Sequence, residues 1–151
     1  MTTTGTDVLA THRERPDDAV KAIRGRGYHS AFPESPSPRV YGETAAADGK
    51  AAFERYLGTT FALETPGSRG TVVTEHSPYG ITLDISYPRT VEDGLDDLLT
   101  AAEAGLKDWR KAGIDARTGV TLEILARLHQ RVFELANAVQ HTSGQAFVMA
   151  F

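Results

Sequence analysis

The chain has 151 residues, 40% of them apolar and 24% charged, with a net charge of −4. That length suits one domain able to bury roughly 70% of its unfolded surface, and the slight negative charge gives no electrostatic case for nucleic acid or an anionic membrane. Cysteine is absent, which excludes disulfides, thiolate metal sites and a cysteine nucleophile among these residues. No apolar run reaches the ~20 residues of a membrane helix, and the first residues lack the basic-then-apolar pattern of a signal peptide, so a cytoplasmic location is expected.

The segment Thr6–Gly27 predicts two short helices or one kinked helix. Pro16 suits a first helical position, Asp17 and Asp18 the first turn, Arg24 and Arg26 the last, with Gly25 and Gly27 as the stop. Pro33, Pro36 and Pro38 predict an extended, polyproline-like connection over 28–42. Its aromatics Tyr28, Phe32 and Tyr41 suit packing on a surface. A helix is expected from Thr44 to Leu57, with Phe53, Tyr56 and Leu57 on its sticky edge and Gly58 closing it.

Residues 71–88 read as a β-hairpin. Ile81, Leu83, Ile85 and Tyr87 alternate with Thr82, Asp84 and Ser86, the period of a strand with one buried face. Ser77-Pro78-Tyr79-Gly80 suits a type I turn, and Pro88 should end the second arm. Thr90 and Asp93 predict a capping-box start to the next helix. Leu95, Leu98, Leu99, Ala102, Leu106 and Trp109 fall on one of its faces, Lys107, Arg110 and Lys111 load its last turn, and Gly113 stops it. Asp115 can cap a final helix running to His141, with Leu122, Leu125, Leu128, Val132, Leu135 and Val139 at core spacing and an outward Glu123–Arg127 pair. Ser143-Gly144 breaks that helix before an apolar ending, Phe147 to Phe151. No internal repeat is visible.

The residues assemble no recognisable catalytic, cofactor-binding or metal site. His12, His29, His76, His129 and His141 lack the spacing of a zinc site and read as surface or core imidazoles. Gly25-Arg26-Gly27 follows a helix, whereas a phosphate loop follows a strand. Asp93, Asp96 and Asp97 occupy a helical first turn, where acids are stabilising without a metal. Ser30 and Ser77 lack a nucleophile-elbow context. Arg39, Arg69 and Arg89 read as solvated basics, and the Trp109 face as core before ligand pocket.

From Pro88 onward the chain resembles the N-terminal region of the aldehyde dehydrogenase superfamily. The resemblance rests on Ala101, Ala102, Ala104 and Trp109, on Arg117, Leu122, Leu125 and Ala126, and on Thr142 to Gln145. Residues 22–58, Ser77 to Gly80 and His141 to Phe151 narrow it to the phenylacetic acid degradation (PaaN) branch, and the likeness runs from about residue 12 to 151.

It implies a mostly helical α+β fold: an N-terminal helical segment with a Pro-rich connection over 1–58, then a hairpin and helices over 59–151 that resemble the incomplete start of a dehydrogenase domain. It implies NAD- or NADP-linked oxidation of an aldehyde from aromatic breakdown, with a Cys nucleophile, a Glu base and an oxyanion site. All of those family residues lie downstream of the matched region, so none maps onto a position here. The expectation is an inactive portion of a longer enzyme, whose partner is either the missing C-terminal dehydrogenase region or further copies of itself. A free-standing module docking on a full-length relative and a small-ligand binder around Trp109 are the alternatives.

Overall fold

A computed structural model describes residues 5–151. In chain order the elements are α1 (Gly5–Thr11), α2 (Glu14–Gly25), α3 (Pro38–Tyr41), α4 (Ala45–Glu54), β1 (Ser68–His76), β2 (Thr82–Thr90), α5 (Glu92–Lys111), α6 (Gly113–Gln130), α7 (Val132–Ser143) and α8 (Phe147–Ala150). The mostly helical α+β expectation holds: among the described residues, helices surround one antiparallel β1–β2 pair.

The first segment is two helices. Pro16 sits at the third position of α2, two steps inside the expected place. The left-handed stop residue is Arg26 (φ 52), not a glycine. Its N–H and that of Gly27 reach back to Ile23 and Ala22 carbonyls, so carbonyls left over at the helix end repay the strain of a non-glycine there. Leu9 of α1 is buried where α1 lies along α6.

The proline-rich connection holds one feature the extended reading excluded. Residues Pro38–Tyr41 form a helical turn with Pro38 at its first position. A proline there needs no N–H, and its fixed φ already suits a helix. Helix α4 ends at Glu54 rather than Leu57. Gly58 (φ 67) instead donates its N–H to Leu83 at 2.9 Å, and Phe61 and Ser86 of β2 bond at 2.7 Å. The chain leaving α4 is thus drawn alongside β2, through a parallel bridge between Thr60 and Ser86.

The hairpin forms where expected, pairing Val72 with Tyr87 and Val73 with Ser86. Leu83 is completely buried, but Tyr87 of the same alternation is 39% exposed. Pro88 does not end β2; it lies opposite Thr71, and the strand runs on to Thr90. The register shifts between Ser68 and Thr71, where Gly70 has φ 91. An irregular ladder tolerates a residue that cannot donate.

Thr90 belongs to β2 and pairs with Ser68. It therefore does not cap α5, which starts after Val91 with no side-chain cap. The hairpin and α5 meet through glycine: a Cβ on Gly94 would lie 1.8 Å from the Gly67 carbonyl oxygen. The apolar stripe of α5 is not core. Leu95, Leu99, Leu106 and Trp109 are 46%, 51%, 41% and 42% exposed.

The long final helix is two helices. Asp115 lies in the first turn of α6 rather than at its cap, and the helix breaks at Arg131 (φ −114, ψ 17). The break redirects α7 so that Phe133 meets Gly49 of α4; a Cβ on Gly49 would lie 2.2 Å from that of Phe133. Gly144 (φ 79) ends α7 as expected. The apolar ending folds back, with Phe147 and Phe151 ring centroids 6.2 Å and 4.9 Å from that of Phe133, while Val148 and Met149 stay exposed.

Candidate functional site

The α6–α7 junction gathers the most chemistry-bearing side chains. The turn α3 brings Tyr41 over it, and the extended residues before α3 bring Phe32. His129, in the last turn of α6, stacks on Phe32 at 4.1 Å, and the Arg15 guanidinium lies 4.5 Å above the other side of that ring. The Tyr41 hydroxyl donates to the Pro33 carbonyl at 2.9 Å and lies 3.1 Å from His129 Nε2. Burial holds the His129 pKa below its ordinary value, and the Arg15 charge pushes the same way. Burial also raises the Tyr41 phenol.

Two shallow grooves flank this cluster. One, of about 480 Å³, lies between Gly49 of α4 and the Gln130–Glu134 bend. The other, of about 570 Å³, is floored by Leu125, Leu128 and Phe151. On the far side of α7, a third groove of about 400 Å³ runs between Phe53, Phe61, Leu83 and Tyr87. Arg131 borders it, bonded to Glu134 and, at 3.0 Å, to the Tyr56 hydroxyl. That bonding lowers the Glu134 pKa and raises the Arg131 pKa. Both charges are spent on each other, which leaves the groove's polar edge neutral towards a ligand.

A serine and a histidine come together across 64 residues. Buried Ser77 takes the Tyr79 N–H at 3.1 Å, and its hydroxyl lies 2.8 Å from His141 Nδ1. Phe53 stacks on His141, ring centroids 5.1 Å apart. Burial, with a smaller push from Lys50, lowers the His141 pKa; Glu54 opposes them. A nucleophilic serine needs its base oriented by a third group and open space above Oγ. Here the neighbours are Phe53 and the turn itself, so the pair pins the hairpin turn to α7. Tyr79 adds hydroxyl bonds to the Gly144 and Gln145 carbonyls.

The other residues weighed from the sequence find structural places. His12 Nε2 bonds Glu123 at 2.7 Å, tying α1's exit to α6, and Glu123 also pairs with Arg127 as expected. His29 and His76 are exposed. Arg69 is not a lone solvated basic: it bonds Asp97 at 2.6 Å and approaches Asp93 at 3.9 Å, which gives those acids a counter-charge. Among the described residues, no group of three or more potential ligands is placed to hold a metal, and no helix is long and apolar enough to cross a membrane. Trp109 stands exposed on α5 and lines none of the three grooves above. The Ser77–His141, Tyr41–His129 and Arg69–Asp97 pairs carry no local spacing signal, since each joins separate elements.

Three comparisons place this arrangement. No family model matches. An acetaldehyde dehydrogenase of Pseudomonas aeruginosa is 27% identical over 97 residues, 64% of this chain and 19% of that protein. The crystal structure of an NAD-dependent aldehyde dehydrogenase from Burkholderia multivorans superposes with a TM-score of 0.83 at 51% identity, over 95% of this chain and 25% of that one. The chain therefore spans a fifth to a quarter of the length of these relatives, and both support a place in the aldehyde dehydrogenase superfamily.

Proposed function

From that kinship with aldehyde dehydrogenases we propose that these residues are the N-terminal scaffold portion of such an enzyme, contributing structure rather than chemistry. The observation that carries the reading is the 51% identity and 0.83 TM-score over 95% of this chain against a quarter of a solved NAD-dependent aldehyde dehydrogenase. Two features agree with it. The chain contains no cysteine, so a thiol nucleophile must come from elsewhere in the enzyme. The Ser–His pair is packed against Phe53, and the His129 imidazole that borders the grooves is itself stacked on Phe32 and lies 3.1 Å from the Tyr41 hydroxyl. The complete enzyme would use NAD or NADP and oxidise an aldehyde to an acid. Its branch would be that of phenylacetic acid degradation, on the strength of residues 22–58 and His141 to Phe151.

The test is reconstitution. The Burkholderia enzyme is expressed without the quarter this chain matches and then co-expressed with this chain. Aldehyde-dependent NADH formation should need both pieces, and calorimetry should find no NAD binding to this chain alone. Dinucleotide binding by the isolated chain, or unchanged activity of the shortened enzyme without it, would refute the reading. Comparing acetaldehyde with an aldehyde carried on a coenzyme A thioester tests the branch.

A further inference from the structure

Residues 28–42 lie over the α6–α7 junction as a strap. Among the described residues, every backbone hydrogen bond of the strap stays inside it; those of Ser37, Val40, Tyr41 and Gly42 close the turn around α3. The strap is fastened to the rest by rings. Phe32 stacks on His129, and Tyr41 meets His129, Phe133 and Phe151. Phe32, Tyr41 and His129 are each half-buried. A segment held by a few such side chains, with no ladder to its neighbours, opens more easily than the body beneath it.

Of these rings only the imidazole changes charge near neutral pH. The Tyr41 hydroxyl has one proton and gives it to the Pro33 carbonyl. His129 Nε2, 3.1 Å away, therefore carries a hydrogen and donates to the Tyr41 oxygen. Neutral His129 is the Nε2–H tautomer, and an added proton must go to Nδ1, which no described residue bonds. That proton makes an N–H for which the fold offers no acceptor, and it puts a charge on a half-buried ring. The charge also meets Arg15 of α2. His129 occupies one face of Phe32, and the Arg15 guanidinium covers the other. The ring draws a cation to either face, but the second arrives against the charge of the first. Glu34 of the strap, Asp48 of α4 and Glu134 of α7 border the same grooves as His129. None of them pairs with it among the described residues, and Glu134 is held by Arg131. Arg15 itself lies 3.4 Å from His12 Nδ1, behind which stands Glu123. Burial first, and the Arg15 charge second, hold the His129 pKa down.

We propose that His129 is a proton-sensitive latch: the neutral imidazole holds Phe32 and Tyr41 over the α6–α7 junction, and the imidazolium releases residues 28–42 while the helices stay folded. The inference goes beyond the scaffold reading and does not depend on it, because the latch is built from this chain's own side chains. Once released, His129 titrates at the ordinary imidazole value of about 6.5. Opening is thus independent of pH well above that value. It grows as pH falls below it, by at most about tenfold per unit for one proton, and levels off once pH passes the lower, latched value. Opening uncovers Leu125, Leu128 and Phe151 on the floor of the larger groove.

Proton NMR of the whole chain from pH 8 to 5 follows the latch and the body separately. As the His129 Cε1 proton titrates, the Phe32 ring protons should move from stacked to free positions with the same midpoint. Helix content by circular dichroism should stay constant over that range. His129→Phe keeps a ring on Phe32 and removes the proton, so Phe32 should remain stacked throughout. Arg15→Gln removes the opposing charge and should raise the His129 midpoint. A Phe32 ring that stays stacked through the His129 titration would overturn the proposal, as would helix lost in step with it. So would an undiminished Phe32 response in His129→Phe, or a His129 midpoint unmoved by Arg15→Gln.

Discussion

Replacing Gly49 by alanine should destabilise the protein, against the helix propensity of the two residues. In an exposed helix interior Gly→Ala gains about 1 kcal/mol. Gly49 is buried in α4 against α7. Its new Cβ would stand 2.2 Å from Phe133 Cβ, 2.8 Å from the Phe133 carbonyl carbon and 3.0 Å from the Glu134 nitrogen. Two of these are backbone atoms, which cannot swing aside as a side-chain tip can. Relief requires the helices to separate and loosens the rings on Phe133. Overpacking of this kind costs about 1–3 kcal/mol, and such backbone contacts place it at the upper end. Net of propensity, about 2 kcal/mol should be lost, or about 4–8 °C in Tm for a chain of this size. Gly105 supplies the control: it lies in α5 with nothing within 4 Å of an added Cβ. Gly105→Ala should therefore raise helix content and leave the Tm equal or higher. The assay is thermal unfolding of both variants by circular dichroism. A Gly49→Ala protein as stable as the parent would refute the α4–α7 contact described here.

Leu83→Ala should cost about 2–5 kcal/mol in urea unfolding, because Leu83 is fully buried and leaves a cavity under the hairpin. Ser77→Ala should cost about 1–3 kcal/mol by the same measurement, since it strips a buried partner from His141 Nδ1 and from the Tyr79 N–H; no loss would mean that the turn is not pinned there. The folded pKa values of His129 and His141 are lowered, so the unfolded chain binds the extra protons. Their contribution is complete above about pH 6.5, the unfolded value, and is lost as pH falls through the lowered folded values. Glu134, also lowered, should add a second loss below its unfolded value of about 4.3. Urea midpoints measured from pH 8 to 3 should fall in both windows, and a flat profile between pH 7 and 5 would contradict the histidine assignment.

Much of the architecture was legible locally. The alternation at Ile81, Leu83 and Ile85, with Ser77-Pro78-Tyr79-Gly80 before it, specified the hairpin. Gly144 specified the end of α7, and the stripe of Leu95, Leu98, Leu99, Ala102, Leu106 and Trp109 specified a helix. These signals are short-range: a turn needs its own dihedrals, and periodicity needs only its own face. The same residues showed that no thiol nucleophile is present. They could not show what covers each face. The stripe of α5 read as core and is exposed; the continuous spacing from Leu122 to Val139 read as one helix and is broken at Arg131, where pairing with Glu134 and Tyr56 and the approach of Phe133 to Gly49 favour a bend. Pro88 read as a strand end and lies inside one, because the bulge near Gly70 spares it a hydrogen bond. Ser77 with His141, and Arg69 with Asp97, were each read as isolated, since a pairing across elements leaves no mark on local spacing. Backbone preference and periodicity are properties of neighbours in the chain; burial and pairing are properties of neighbours in space, and these only the folded arrangement of hairpin, α4 and α7 decided.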